Sequence, residues 1–376
     1  MEMVGGILDG VRTKAPPRVG AQTGNSSYVR YLDFFRALTI LQIVMLHAGH
    51  AFLQRGYAEP IAESDFVFVA VNVFFHDATI YFTLISGILY SRIFFTRPHG
   101  LFLKARLLNV GTPYVVVSAA LTAFFWFLAS RSAGEWHVEK LVGQLSFNIV
   151  TGDAWNTLWY IPVILGLYAI APILYRIVTN PRLLWVTLIL AFAPLVFSRA
   201  GTDITPATFI FFMGAFVVGL SIGRNLERSL DWTLDHRMML ALVALACSIA
   251  IAFLYVTETD NLGPISVVES FFYVQRLSMG MLILAFLRHW SRYESPTRDA
   301  ILGVAASASF GIYFLHGPLL RPFVSMLRRV VEGDQSPLLA VPCIFATFLG
   351  ALALSMAGIG VMQLIFGDRS RYLIGA

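Results

Sequence analysis

Apolar segments long enough to cross a bilayer follow one another along most of this chain, and that succession constrains its fold more than any other feature. A spanning helix needs roughly 20 such residues. The first segment, Tyr31 to Leu53, is followed by others at about Phe66 to Phe95, Val110 to Ser130, Trp155 to Tyr175 and Leu183 to Phe197. Five more run from about Pro206 to Ile222, Met238 to Val256, Val267 to Leu287, Ile301 to Val324 and Leu338 to Phe366. Inside hydrocarbon each backbone N–H and C=O must find its partner within the segment, so each is predicted to be a helix. The expectation is an all-α polytopic membrane protein, a bundle of about ten transmembrane helices, and the mean hydropathy of +0.71 agrees with it. Residues 1–30 read as a flexible polar tail, 31–366 as the transmembrane domain and 367–376 as a short second tail. The first tail lacks the apolar core of a signal peptide, so the first span is expected to act as its own membrane signal.

The basic residues are spread in a telling way. If the amino terminus is cytoplasmic, the two tails and the loops on that side carry about 18 Lys and Arg, and the outer loops about 6. Both termini are therefore predicted to be cytoplasmic. The basic residues form no single patch with interleaved aromatics, so nucleic acid is not an expected partner. Cys247 and Cys343 both lie within apolar segments, which supports neither a disulfide framework nor a cysteine metal site. Walker-type phosphate loops and H-E-x-x-H zinc motifs are absent, and no metal is expected.

Ionisable groups at membrane depth are costly and mark function by default. Within the spans these are Arg36, His47, His76, Asp77, Glu269, Arg276, His316 and Arg321. Arg36 and His47 are eleven residues apart, hence on one helix face and about 16 Å apart along the axis. The plainer reading has Arg36 snorkelling to the headgroups and His47 as a satisfied core histidine. Glu269 and Arg276 also share a face and read as a structural ion pair, with a substrate role as the alternative. Asp77 is expected to pair near His76 or with Arg276, and His50 to sit at the membrane boundary. The run 131–153 reads as the longest polar connection between spans. Ser86-Gly87 reads as a close-packing point between helices.

Several strings together resemble the acyltransferase-3 family of integral membrane acyltransferases. Arg36 to His47 is similar to its R-x10-H signature, led by Tyr31-Leu32-Asp33-Phe34-Phe35. Phe82 to Gly87 resembles its F-x-x-S-G string, Lys104 to Pro113 its basic cluster, and Leu158 to Ile161 its L-W-[YF]-[LI] string. Ser309 to Pro318 resembles its late S-x-x-[IV]-Y-x-x-H-x-P string. One departure stands out: Asn109 occupies the place of a second arginine after Arg106, leaving Lys104 or Arg97 as substitutes.

The resemblance implies a multi-pass protein of the plasma (inner) membrane that moves an acyl group, most often acetyl, from cytoplasmic acyl-CoA to a hydroxyl of an exported or cell-surface carbohydrate. Acetyl-CoA is then the donor co-substrate. His47 is expected to be the general base, with His316 and Tyr313 beside it to orient it or stabilise the oxyanion. Arg36, Arg92, Lys104 and Arg106 are expected to hold the donor phosphates. Trp159, Tyr160, Asp77, Glu269 and Arg276 are candidate acceptor-binding residues, although Trp159 and Tyr160 also suit a membrane-boundary anchor, and His316 reads equally as capping a kink before Pro318. Two alternatives stand beside this reading: a succinyl rather than acetyl donor, and a secondary transporter of an anionic or lipid-linked sugar, whose proline-broken helices and intramembrane charges look alike.

Overall fold

The structure is a computed structural model that describes residues 30–57, 60–199, 201, 203–259, 261–262, 265–329 and 337–376; the tail expected over 1–30 lies outside them except for Arg30. The described residues are almost entirely helical. Helix α1 is Arg30–Arg55. α2 (Phe66–Phe75) and α3 (Thr79–Leu89) are two halves of one broken span, and a π-helical turn, Tyr90–Phe94, extends it. α4 (His99–Arg106), a second π-helical turn (Leu107–Gly111) and α5 (Thr112–Ala133) make a long rod. Then come α6 (Val138–Thr151), α7 (Tyr160–Thr179), α8 (Leu184–Phe192), α9 (Pro206–Arg224), α10 (Leu226–Asp235) and α11 (Arg237–Thr257). A two-residue hairpin, β1 (Asn261–Leu262) with β2 (Ile265–Ser266), leads into α12 (Val267–Trp290). α13 (Pro296–Ser307), α14 (Ser309–Arg328), α15 (Pro337–Phe366) and a short α16 (Ser370–Ile374) complete the chain.

Among the described residues, eight helical segments are long and apolar enough to cross a membrane, and up to nine if the bent pair α13–α14 counts as one. Two predicted spans differ from expectation. The fifth contains only α8, nine residues, flanked by three-residue 3-10 turns at Pro181–Leu183 and Ala193–Leu195. Pro181 and Pro194 shorten the α-helical run because proline cannot continue the ladder. The segment nevertheless travels the depth of α7. At one end it follows α7 directly, the Asn180 side chain at the junction accepting from the Arg182 N–H (3.0 Å); at the other Arg199 lies 5.1 Å over the Trp159 ring at the start of α7.

The ninth predicted span, Ile301 to Val324, is not one helix but bends by 69° between α13 and α14. α13 stays at the end of the bundle where α1 begins, since Arg298 sits over the Phe34 ring (5.5 Å) and Ser309 accepts from Arg36 (3.1 Å). α14 alone, with 20 residues, has the roughly 30 Å needed to cross. The polar connection expected over 131–153 holds α6. Its Asn148 side chain donates to Thr122 (2.8 Å), and the Tyr114 hydroxyl donates to the Ile149 carbonyl (2.8 Å), which fastens α6 to α5.

Close backbone approach sets the centre of the bundle. A Cβ on Gly87 of α3 would lie 2.3 Å from the Phe216 carbonyl of α9, and one on Gly219 2.2 Å from the Leu84 carbonyl. Small residues of this kind let membrane helices pack through van der Waals contact without a hydrophobic driving force. Gly87 is thus a packing point, as read from Ser86-Gly87, while the Ser86 hydroxyl pairs with that of Tyr168 (2.9 Å).

The break between α2 and α3 depends on Arg276. Fully buried in α12, it donates to the carbonyls of His76 (2.6 Å), Val73 (3.0 Å) and Asn72 (3.4 Å), the last carbonyls of α2. The His76 carbonyl has no other partner among the described residues, while Val73 also accepts from the Gln275 side chain (3.2 Å) and Asn72 from the His76 N–H (2.9 Å). Asp77, with φ at 55°, turns the chain in a conformation unusual for a residue with a side chain. The expected Glu269–Arg276 ion pair does not form. Seven residues put the two on one face, but Arg276 is drawn to α2 and Glu269 to the cavity described next.

Candidate functional site

A cavity of about 660 Å³ opens at the end of the bundle opposite Arg36. Along α1 it is lined by Ile43, His47, His50 and Gln54, a three-to-four-residue spacing that makes one helix face. Tyr313, Gly317 and Arg321 line it from α14 in the same way. His76, Asp77 and Thr79 come from the α2–α3 break, Trp155, Thr157 and Trp159 from the segment before α7, and Arg199 and Glu269 close the wall.

The face of α1 that carries Arg36 and His47 packs against α14. Arg36 donates to Ser309 (3.1 Å) and pairs with Asp33 (3.4 Å). Two to three turns on, the His47 and His316 rings have centroids 5.3 Å apart. His47 is half-buried and borders the cavity; His316 is fully buried behind it. His316 Nδ1 lies 2.9 Å from the Ile312 carbonyl. A carbonyl can only accept, so Nδ1 carries the proton and Nε2 keeps its lone pair. That Nε2 is buried without a partner among the described residues. A neutral His316 thus offers an acceptor at Nε2, and the oxyanion-donor role read from sequence would need a protonated ring.

Tyr313 is not free to act on a substrate, because its hydroxyl donates to the Thr157 carbonyl and pins the segment before α7. The Thr157 hydroxyl is buried beside it and has no partner among the described residues. His50, expected at the membrane boundary, lines the cavity; it donates to the Asn72 side-chain oxygen (3.0 Å) and stacks on Phe68 (5.3 Å).

Four charged or titratable side chains cluster on the cavity wall. Arg199 lies 2.7 Å from Asp77 Oδ1 and 3.5 Å from Glu269 Oε2, and donates to His76 Nε2 (3.1 Å). Glu269 Oε1 is 3.4 Å from the same His76 nitrogen. Burial opposes the Arg199 charge, but the two carboxylates more than restore it, so its pKa lies above the ordinary arginine value. His76, Asp77 and Glu269 are the grouping with metal-like spacing among the described residues, their ligand atoms within 4.8 Å of one another. The Arg199 guanidinium already supplies positive charge to that donor set, so it fits an arginine better than a cation. Of the candidate acceptor residues, Trp159, Asp77 and Glu269 reach the cavity. Tyr160 and Arg276 do not: Tyr160 pairs with the Thr83 hydroxyl (2.8 Å), and Arg276 caps α2.

At the Arg36 end, arginines gather with few acids. The Arg106 guanidinium packs on Phe94, Phe102 and Tyr168 at 4.6, 5.2 and 5.5 Å. Its Nε is buried without a partner among the described residues, and Arg36 and Arg97 lie close enough to repel it. Arg92 is 4.0 Å from Glu227, and Lys104 is exposed. Asn109, in the place of an expected arginine, is met by Arg371 from α16, whose Nη2 donates to Asn109 Oδ1 (2.8 Å). Sequence reading missed Arg199 and Arg371. Each lies outside every motif and acquires its neighbours only through the fold.

A family model described as an acyltransferase domain matches residues 29–356. The chain belongs to the acyltransferase-3 family. No curated protein and no solved structure was found to match. The family match spans both the arginine-rich end and the cavity, and it makes the protein a multi-pass membrane acyltransferase rather than a carrier. The R-x10-H and S-x-x-[IV]-Y-x-x-H-x-P strings of this acyltransferase are the two helices, α1 and α14, that meet through His47 and His316.

Proposed function

We propose that this acyltransferase moves an acetyl group from cytoplasmic acetyl-CoA to a hydroxyl of an exported or cell-surface carbohydrate, within the plasma (inner) membrane. The observation that carries this reading is the pairing of two unlike ends along one helix face. Arg36 stands among arginines at one end, and His47 borders a polar, aromatic-lined cavity about 16 Å further along α1. We infer cytoplasmic termini from the uneven spread of Lys and Arg, with α8 and α14 each counted as a crossing, which makes ten.

The arginine-rich end suits a polyphosphorylated donor. Arg36, Arg92, Lys104 and Arg106 hold its phosphates through charge-assisted hydrogen bonds, and Arg371 adds a further cation by way of Asn109. The extended pantetheine arm runs along α1 and α14 towards His47. At the cavity, planar carboxylates, a guanidinium and indole faces suit a sugar, which offers hydroxyls at its edges and C–H groups on its faces. Asp77, Glu269 and Arg199 bind acceptor hydroxyls, and Trp159 supplies an apolar face.

His47 takes the proton of the acceptor hydroxyl as its oxygen attacks the thioester carbonyl. The new C–O bond forms, the C–S bond breaks, and the CoA thiolate leaves and is protonated by the imidazolium. His316, packed against the His47 ring, helps to orient it. Tyr313 positions the Thr157 segment.

The test uses the purified protein in nanodiscs with radiolabelled acetyl-CoA and a mixture of oligosaccharides, with succinyl-CoA in parallel. Label should pass from acetyl-CoA to saccharide in an ester cleaved by mild alkali. Exclusive use of succinyl-CoA would replace the donor in this reading, and no transfer from either would overturn it.

A further inference from the structure

Two arginines at the rim of the cavity have no role in the reaction described above. Arg55 is the last residue of α1, and Arg321 lies on α14 one turn beyond Gly317; both line the cavity. They are near enough to repel each other, and neither has a carboxylate partner among the described residues. Asp153 lines the same cavity and pairs with neither.

Deeper in, the balance is reversed. Arg199 is flanked by Asp77 and Glu269, two carboxylates to one guanidinium, whereas the rim presents two guanidiniums with no ion pair among the described residues. Arg321 is also held in place. Its guanidinium lies 4.5 Å over the Trp155 ring, which stacks on Phe125 at 5.7 Å. Gly317 leaves room for that indole, because a Cβ there would sit 2.5 Å from the Trp155 ring nitrogen. Snorkelling to lipid headgroups would send these chains outward; instead both face the cavity. Like charges gathered at one rim cost free energy unless an anion joins them.

We propose that the acceptor is an anionic saccharide, whose carboxylate or phosphate group is held between Arg55 and Arg321 while a hydroxyl reaches His47. This deepens the acyl-transfer reading and rests on it. Arg55 is eight residues beyond His47, so the charge sits about 12 Å along the helix axis from the reacting hydroxyl. The acceptor therefore carries its charge at some distance from the hydroxyl that is acylated, on a neighbouring sugar or a linking group.

The experiment compares transfer to an oligogalacturonate and to a neutral galactose oligomer of the same length, in nanodiscs of zwitterionic lipid. The wild-type protein should prefer the carboxylated acceptor by on the order of tenfold in kcat/KM, and added salt should erode that preference. The double variant Arg55→Gln/Arg321→Gln should lose the preference, and Arg55→Lys/Arg321→Lys should keep most of it. Equal transfer to both oligomers by the wild type would overturn the charge inference and leave the acyl-transfer reading intact. Transfer to neither would overturn both. A preference that appears only when anionic lipid is added would assign the arginines to a headgroup and overturn the inference as well. The wild-type comparison and its salt dependence decide the matter even where a variant fails to fold.

Discussion

At the scale of the residue, His47 and His316 differ in what they touch. His316 is fixed through Nδ1 to the Ile312 carbonyl, while His47 makes no hydrogen bond among the described residues and borders the cavity. The residue free to meet a substrate proton is therefore His47. His47→Ala should lower acetyl transfer by on the order of 10²- to 10⁴-fold, the range of general-base contributions, with membrane insertion and yield unchanged. Activity retained in that variant would remove His47 as the base. Arg36→Ala should act on the donor first, weakening acetyl-CoA binding about ten- to hundredfold, as loss of a hydrogen bond to a charged group does. Isothermal titration against acetyl-CoA measures this, and unchanged affinity with lost activity would move Arg36 to another role.

At the scale of the element, the informative feature is a helix that stops inside the bundle. α2 ends at Phe75, and the carbonyls at its close are met by Arg276, with Gln275 sharing that of Val73. The cap places His76 and Asp77 on the cavity wall, so Arg276 shapes the site without lining it. Arg276→Met leaves the His76 carbonyl unpaired, at a cost of about 1–3 kcal/mol, while Val73 keeps Gln275 and Asn72 keeps the His76 N–H. A fluorescence melt in detergent should show a clear drop in Tm, with Arg276→Lys recovering part of it; an unchanged melt would mean that the α2 end is satisfied in another way. The α3–α9 contact is as exacting. Gly219→Val would drive a side chain into the Leu84 carbonyl, and overpacking of this sort costs about 1–3 kcal/mol or more. Reduced yield of folded protein, read by size-exclusion chromatography, is the expected outcome.

At the scale of the whole molecule, the proposed sidedness depends on how α8 and α14 are counted. Eight helical segments among the described residues are long and apolar enough to cross, and the proposed ten adds α14 and the short α8, which runs from the end of α7 back to its start. With both termini inside, a reporter thiol from Ser132→Cys, at the end of α5, should react with an impermeant maleimide in intact cells. One from Thr96→Cys, before α4, should react only after permeabilisation. The reverse pattern would invert the topology and the path proposed for the donor. Much of this molecule was legible in its sequence. The apolar spans, the uneven spread of Lys and Arg, and the pairing of Arg36 with His47 on one face are one-dimensional signals, because bilayer thickness and helical period act on each segment separately. The meeting of α1 with α14 was readable only as a resemblance between motifs. The partners of Glu269, the capping by Arg276, the position of Arg199 opposite Asp77, and the approach of Arg371 to Asn109 across 262 residues were decided by tertiary structure. A buried charge takes whichever counter-charge or carbonyl the packed helices bring within about 4 Å, and spacing along the chain does not specify that neighbour.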